Sequence, residues 1–172
     1  TRLATKLLTA LGATPVGMPL PQIPDALSKG VIDGALIPWE VVPAVRVHEM
    51  VKYHSEFDPK LPALYTNAFV MTMNKAKYDA LPPDLKKVID ANSGIETSAW
   101  LGKVQEANDE KGRKPAQDRG NTITRLSEAD YKAFRQAANQ VDEDWVREMT
   151  AKGIDGRALL DSARRLMAKH GR

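Results

Sequence analysis

The stretch ALSKGVIDGALIPWE, residues 26–40, indicates what kind of fold the chain adopts. Its first residues continue one or two helical turns that begin at Pro24, and Gly30 stands just past them, where glycine favours a helix end. The mainly apolar stretch from Val31 to Ile37 is typical of a strand. Pro38 then stops that strand, because proline has no N–H to donate to a sheet. A helix followed by a strand is one step of an α/β fold.

The neighbouring residues continue this alternation. An amphipathic helix precedes the stretch and ends at Gly12, where a left-handed cap is favoured. Its apolar positions recur with helical spacing: Leu3, Leu7, Leu8 and Leu11. Residues 13–18 predict a brief extended stretch, counted here as a strand, which Pro19 and Pro21 break. On the other side, residues 40–49 predict a helix that starts late or bends at Pro43.

The middle of the chain predicts two strands and a long helix. Residues 50–57 and 63–73 are rich in β-branched and aromatic side chains, which favour strands. A helix is predicted from the prolines at 82 and 83, through Val88, to about Asn108. The polar stretch 110–120 contains two glycines and a proline, and it predicts that this helix frays there.

The last part of the chain predicts a short strand and two helices. The strand covers residues 122–125, and Ser127 is a predicted N-cap for the helix that follows. That helix ends at Gly153, and a final amphipathic helix completes the chain.

Helices and strands that alternate, followed by a helix-rich half, predict an α/β fold with a largely parallel sheet. About five strands are few for the 172 residues of the chain, and the long late helix has little strand to cover it. We therefore expect an incomplete sheet. The length is compatible with one domain or with part of a two-domain protein.

The composition excludes several classes of function. The 25 basic and 22 acidic side chains leave a net charge of +3, and their signs alternate along the predicted helices. Nucleic-acid binding is therefore not expected, although the sequence pI of 9.1 is one feature of such proteins. The absence of cysteine excludes disulfides, thiolate metal sites and a cysteine nucleophile. No run approaches the roughly 18 apolar residues of a membrane span.

No enzyme, cofactor or metal site is predicted. The sequence contains no nucleophile elbow, metalloprotease helix, dinucleotide-binding turn or P-loop. Two carboxylate pairs, Asp142 with Glu143 and Glu106 with Asp109, could do acid–base work, but solvation of an amphipathic surface explains them more simply. The histidines, which are His48, His54 and His170, are too scattered for the spacing of metal ligands.

Two blocks of sequence resemble a known family. LGATPVGMP at residues 11–19 and ALSKGVIDG at residues 26–34 are similar, in letters and spacing, to blocks of the TRAP transporter extracytoplasmic solute-binding proteins, the DctP-type family. The resemblance continues through Met73-Asn74-Lys75, Tyr78 and Leu81-Pro82. It covers essentially the whole chain and is weak after Asp109.

This resemblance implies a periplasmic-binding-protein-like fold whose two lobes close on a small organic acid. It also implies delivery of that acid to the TRAP permease in the membrane, and a location in the periplasm of a Gram-negative bacterium. Residues 1–80 would form the α/β segment of the ligand lobe. Residues 81–172 would form a long helix that spans both lobes and the helices that return to the first. The chain would then be the C-terminal portion of a receptor whose first-lobe strands and secretion signal lie upstream.

The ligand-clamping arginine of the family is not expected in this chain. The family places it roughly fifteen residues before the position matched by Gly12, where a guanidinium can hold a carboxylate with two parallel hydrogen bonds. Arg2 is too close to Gly12 to match it. We interpret Arg2 as a solvated helix residue.

The loop after the predicted strand 31–37 supplies the predicted ligand contacts, because ligands of open α/β sheets bind beyond the carboxyl ends of strands. In sialate- and dicarboxylate-binding members this loop resembles DGQENP, with an asparagine that contacts the ligand. Here Ile37 stands at the asparagine position, Pro38 follows, and Trp39 could stack on a flat ligand. Leu20 stands where the family often has an aromatic residue facing the cleft. The predicted ligand is an organic acid with an apolar or aromatic body.

Each of these contacts has a simpler explanation in packing. Trp39 could be a core tryptophan, and Ile37 and Leu20 could be ordinary packed side chains. Glu40 could simply favour a helix N-terminus. A keto-acid-binding branch of the family holds a cation with a glutamate and a tryptophan immediately after the strand. Leu36 and Ile37 stand there in this chain, so no such ion is expected.

The alternative to a solute receptor is a helical interaction module that docks on a protein partner and binds no small ligand. A gain in thermal stability with a small ligand separates the two hypotheses. An incomplete lobe would also expose an apolar edge, which predicts association with a second copy of the chain.

Overall fold

Helices account for most of the described chain, which comprises residues 1–66 and 68–170 of the computed structural model. The α-helices in these residues are α1 (Arg2–Ala10), α2 (Ile23–Ser28), α3 (Val47–Met50), α4 (Lys75–Asp79), α5 (Pro83–Ala91), α6 (Ile95–Asp118), α7 (Glu128–Thr150) and α8 (Gly156–His170). The strands are β1 (Tyr53–Glu56) and β2 (Thr122–Arg125). Short 3-10 turns lie at Leu20–Gln22 and Trp39–Val41.

Contacts within the chain define two compact units. Within the described residues, the first unit comprises 1–36, 51–66 and 122–170, and the second comprises 37–50 and 68–121. The predicted division into residues 1–80 and 81–172 concerned the lobes of a whole receptor, and it stays a prediction.

In the first unit, α7 packs against both α1 and α8. Leu7 of α1 and Val141 of α7 are buried, so the apolar faces of these helices form the core of the unit. β1 and β2 pair in parallel, with Tyr53 opposite Thr122. Burial of the apolar faces of α1 and α7 thus explains how the core of the first unit is held together.

The start of α7 follows from its sequence. The Ser127 side chain accepts a hydrogen bond from the backbone N–H of Asp130, and the Asp130 side chain accepts one from the backbone N–H of Ser127. This reciprocal pair satisfies two N–H groups near the start of the helix. Phe57 contacts Tyr131 and Phe134 edge-on, with ring centroids 5.3 Å and 5.4 Å apart. These rings hold the end of β1 against the first turns of α7.

In the second unit, α6 packs against the turn Trp39–Val41 and against α3. Ala116 of α6 is fully buried, at 0% exposure, and Val42 and Val47 are buried with it. The side-chain amide of Asn121 donates to the backbone carbonyl of His48 at 2.8 Å. The turn that follows Pro38 is therefore held on the C-terminal half of the long helix.

Several predicted elements are confirmed. Helices α1, α2, α7 and α8 lie where the sequence predicts them, and Gly12, Gly30 and Gly153 have positive φ angles just after three of these helices. β2 has the predicted bounds, and β1 lies inside the predicted strand 50–57. The helix predicted within residues 40–49 begins late, at Val47, after Pro43.

Three predicted strands are wrong for the described residues. The structure shows no strand at residues 13–18, at residues 31–37 or in the described part of residues 63–73. Asn67, which belongs to the last of these ranges, lies outside the described residues. A strand needs a neighbour with which its backbone can pair, and an apolar, β-branched composition does not supply one.

The prediction for the long helix is also corrected. The predicted helix from residue 82 to Asn108 is divided into α5 and α6, with Gly94 at a φ angle of 93° between them. The predicted fraying over residues 110–120 is wrong, because α6 continues to Asp118 with Pro115 inside it. An interior proline removes one helical hydrogen bond and normally bends or ends a helix. Here the same turns of α6 are packed within the second unit through buried Gly112 and Ala116.

Candidate functional site

Three of the four predicted contact residues lie together. Ile37, Pro38 and Trp39 are consecutive and half-buried in the second unit, where Pro38 is extended and Trp39 begins the 3-10 turn. We call residues 37–39 the apolar segment. Leu20 belongs to the first unit and is 38% exposed in the turn Leu20–Gln22. The structure therefore groups three of the predicted contacts and places the fourth in the other unit.

Helix α6 approaches the backbone of the apolar segment very closely at Gly112. A Cβ atom on this glycine would lie 1.9 Å from the carbonyl oxygen of Trp39 and 2.9 Å from the Cα of Glu40. Only glycine, which has no Cβ, permits this approach. The main chain that carries the Trp39 indole is thus in direct contact with the main chain of a long helix.

A pair of carboxyl groups lies beside this contact. Burial raises the pKa of Glu40 above its ordinary value, and the Asp109 carboxyl, which is hydrogen-bonded to it, raises that pKa further through the bond and its charge. A hydrogen bond to the backbone of Glu40 acts in the opposite sense. The raised pKa means that Glu40 keeps its proton to a higher pH than a free glutamate does.

A second candidate is a surface pocket of about 250 Å³ between α1 and α7. Its apolar lining is Leu3, Val141, Trp145 and Met149, and its charged lining is Arg2, Lys6, Glu148 and Lys152. None of the four predicted contact residues lines this pocket.

Glu148 forms ion pairs with two basic side chains that line that pocket. It accepts hydrogen bonds from Lys6 and, at 3.3 Å, from Arg2. The hydrogen bond from Lys6 lowers the pKa of Glu148, and the charges of Arg2, Lys6 and Lys152 lower it further. The Arg2 side chain is 77% exposed, so its ion pair with Glu148 is largely solvated.

The chemistry of the apolar segment is that of a binding surface. It offers an indole ring and two apolar side chains on a fixed main chain, which suits burial of the apolar body of a small molecule. Within the described ranges, no three histidine, aspartate or glutamate side chains are placed to hold a metal ion. No helix in the same residues combines the length and apolar character that crossing a membrane requires.

Sequence reasoning missed Gly112, and it interpreted Asp109 as a solvated carboxylate paired with Glu106. Gly112 stands in the stretch that predicts the end of a helix, where a glycine is normally punctuation. One signal could have identified it: Gly112 and Ala116 are four residues apart, so two small residues share one face of a helix. Such a face permits close approach of another main chain.

The family comparison covers most of the chain. Residues 1–149 match the model of the family described as bacterial extracellular solute-binding protein, family 7.

Two solved structures are similar to this chain along its whole length. One is a TRAP solute-binding protein from Rhodoferax ferrireducens in complex with copurified benzoate: it is 58% identical, with a TM-score of 0.94, over 99% of this chain and 53% of that chain. The other is a TRAP solute-binding protein from a marine metagenome, specific for aromatic acid ligands, in complex with 3-hydroxybenzoate. It is 37% identical, with a TM-score of 0.86, over 100% of this chain and 53% of that chain.

Two curated proteins are more distant relatives. The 2,3-diketo-L-gulonate-binding periplasmic protein YiaO of Escherichia coli is 27% identical over 80% of this chain and 40% of its own length. The ectoine-binding periplasmic protein TeaA of Halomonas elongata is 26% identical over 88% of this chain and 42% of its own length. The chain thus spans less than half the length of these curated relatives.

Proposed function

Since this chain belongs to family 7 of the bacterial extracellular solute-binding proteins, we propose that it serves in a receptor that captures an aromatic carboxylic acid. The predicted resemblance to the TRAP-type receptors is confirmed by the family match, and the predicted α/β fold of a periplasmic-binding-protein lobe by the TM-score of 0.94. The ligand and the role of the whole protein are the proposal.

Identity with receptors of aromatic acids is the observation that carries this proposal. The relative with benzoate is 58% identical and the relative with 3-hydroxybenzoate is 37% identical. The relatives named for a diketo acid of a sugar and for ectoine are 27% and 26% identical. The higher identities therefore favour an aromatic acid over either of the other two ligands.

The apolar segment supports the same ligand. An aromatic acid has a flat apolar body, which gains free energy when it leaves water for contact with Ile37, Pro38 and the Trp39 ring. A sugar acid or a small dicarboxylate would place polar groups against these side chains, where they lose hydrogen bonds to water. By the family resemblance, an arginine holds the carboxylate of the ligand.

The proposed receptor binds its ligand without reaction, in the periplasm of a Gram-negative bacterium, and delivers it to a TRAP permease. Kinship with periplasmic binding proteins supports this location and this absence of catalysis.

Isothermal titration calorimetry of the whole receptor that contains this chain, with benzoate and 3-hydroxybenzoate, tests the proposed ligand, and succinate and sialate serve as comparisons. We expect dissociation constants of about 1 μM or below for the aromatic acids and no measurable binding of the other two. Tight binding of sialate or succinate alone contradicts the proposal. No response to any of the four acids favours the interaction module.

Substitution of the tryptophan tests the apolar segment. Trp39→Ala should weaken benzoate binding at least about tenfold, because it removes the largest apolar surface of the segment. Trp100→Ala is the matched control, since Trp100 lies in the same unit and is 62% exposed. Equal affinities in the two variants would exclude Trp39 as a contact.

A further inference from the structure

We infer that α6 positions Trp39 for its ligand through two residues: Gly112, on which the main chain of the turn Trp39–Val41 lies, and Asp109, whose carboxyl is hydrogen-bonded to that of Glu40. This inference rests on the proposed function, because it concerns how the proposed stacking ring is held. Gly112 and Asp109 act through Trp39, so both are positioning residues.

The contact at Gly112 cannot be relieved by a side chain. The atoms that a new Cβ would meet are the carbonyl oxygen and carbon of Trp39 and the Cα of Glu40, all of them main chain. Carbon atoms pack at about 3.5–4 Å, so the turn or the helix would have to move by about an ångström or more. Because the indole of Trp39 is attached to that main chain, the ring would move with it.

The carboxyl pair ties the same turn to the same helix. Two ionised carboxylates repel each other, whereas one shared proton converts the pair into a hydrogen bond. Glu40 directly follows Trp39 in the turn, and Asp109 lies one helical turn before Gly112. Loss of the proton therefore loosens the turn at the residue next to the ring.

The charges that act on Glu40 come from the helix against which its turn packs. The carboxyl of Asp109 on α6 raises the pKa of Glu40, and the hydrogen bond to the backbone of Glu40 opposes it. Burial acts in the same direction as Asp109. The turn should therefore be held most firmly below the raised pKa of Glu40, and the ring should be best ordered for a ligand there.

The pH dependence of benzoate binding gives the first test. Titrations from about pH 5 to about pH 8 keep benzoate ionised, because free carboxyl groups titrate near pH 4. In the wild-type protein, we expect the dissociation constant to rise on the order of two- to threefold as the pair loses its proton, a small change because water screens these groups. In Glu40→Gln the introduced amide donates to Asp109 at every pH, so this rise should vanish. Identical pH profiles in the two proteins would overturn the inference.

Two glycines of α6 give the second test. Gly112→Ala should raise the dissociation constant for benzoate at least about tenfold. Gly102→Ala is the matched control, because a Cβ on Gly102 would meet no atom within 4 Å; its affinity should equal that of the wild type. A folded Gly112→Ala protein with unchanged affinity would overturn the inference. If Gly112→Ala does not fold by circular dichroism, the pH profile of Glu40→Gln decides.

A readout without ligand separates the inference from the proposed function. The indole N–H resonance of Trp39 should titrate with pH in the wild-type protein and stay constant in Glu40→Gln. A resonance that titrates in a protein that binds no aromatic acid would contradict the proposed function and leave the positioning intact. A resonance that does not titrate in the wild type would overturn the positioning even where benzoate binds.

Discussion

Helices α6 and α7 have almost the same length, 24 and 23 residues, and they pack by different means. α7 begins with a side-chain cap at Ser127 and buries Ala138 and Val141. α6 begins after Gly94 without a side-chain cap, contains Pro115, and buries Gly112 and Ala116. α7 therefore has a capped start and packs through a regular apolar face. α6 packs through a face made of glycine and alanine, where side chains are nearly absent.

The comparison shows that large apolar residues with helical spacing do not always mark the face through which a helix packs. The large apolar residues of α6 include Ile95 and Trp100, which are 82% and 62% exposed. The periodic residues that predict the helix are therefore not the ones that pack it within the second unit. A face of small residues allows main chains to touch, and it tolerates substitution poorly for that reason.

The largest predicted effect concerns the core beneath α7. Leu7→Ala should lower the free energy of unfolding by about 2–5 kcal/mol, because the lost side chain leaves a cavity where α1 meets α7. Leu7 is 3% exposed and Leu3 is 42% exposed, so Leu3→Ala is the control and should change stability far less. Denaturant unfolding measures both, and equal losses would show that α1 is not anchored through Leu7.

A stabilising change is predicted in α6. Pro115→Ala should raise the free energy of unfolding by up to about 3 kcal/mol, because it restores a backbone N–H inside the helix and removes the clash of the proline ring. Thermal unfolding checks this prediction. A lower melting temperature would mean that the half-buried proline ring is needed for packing, and α6 would then resemble α7 more closely.

The first turns of the two helices give a prediction with a smaller expected effect on stability. Ser127→Ala should cost about 1 kcal/mol, because one N–H at the start of α7 loses its acceptor. Ser98→Ala is the matched control: Ser98 lies in the first turns of α6, and its hydroxyl donates to the carbonyl of Gly94 instead of capping an N–H. Similar losses in the two variants, measured by denaturant unfolding, would contradict the assignment of Ser127 as the cap.

The smallest predicted effect is the response to acid. Hydrogen bonds from Arg157 and Lys6 lower the pKa values of Glu143 and Glu148, so their stabilisation is present above the ordinary value of 4.5 and is lost as the pH falls below it. The hydrogen bond from Arg46 lowers the pKa of Glu49, so the stabilisation that Glu49 contributes is also lost as the pH falls. Glu40 has a raised pKa, so its contribution is present below 4.5 and is lost as the pH rises through the raised value.

Melting temperatures at several pH values between about 3 and 7 measure this balance. Glu148→Gln should show a shallower fall at the acid end than the wild type, because it lacks one of the carboxylates that must take up a proton. Parallel curves for the two proteins would mean that the Lys6 ion pair contributes nothing, as is common for exposed pairs.

Local signals explain why α7 could be predicted from the sequence. The Ser127 cap, the apolar periodicity and Gly153 all lie within the helix or next to it. The course of α6 could not be predicted, because the packing around Pro115 involves a turn far away in the chain. The predicted strand at residues 31–37 failed for a similar reason, since pairing depends on a neighbour and not on composition.

The same division applies to the candidate site. The apolar character of Ile37, Pro38 and Trp39 could be predicted from the sequence, and their role as ligand contacts stays a prediction. The effect of Asp109 and Gly112 on Trp39 could not be predicted, because it depends on a contact between distant segments. The position of Leu20 in the other unit likewise depends on how the chain folds back on itself.

Parallel pairing of β1 with β2 sets an order of events on the ribosome. Tyr53–Glu56 is made first, and its partner Thr122–Arg125 follows roughly 3–14 seconds later at ordinary elongation rates. Until then, β1 is an open edge to which another nascent chain could pair. Three of its four residues, His54, Ser55 and Glu56, are polar. These polar side chains allow the growing polypeptide to expose β1 to water until β2 has been made and can pair with it.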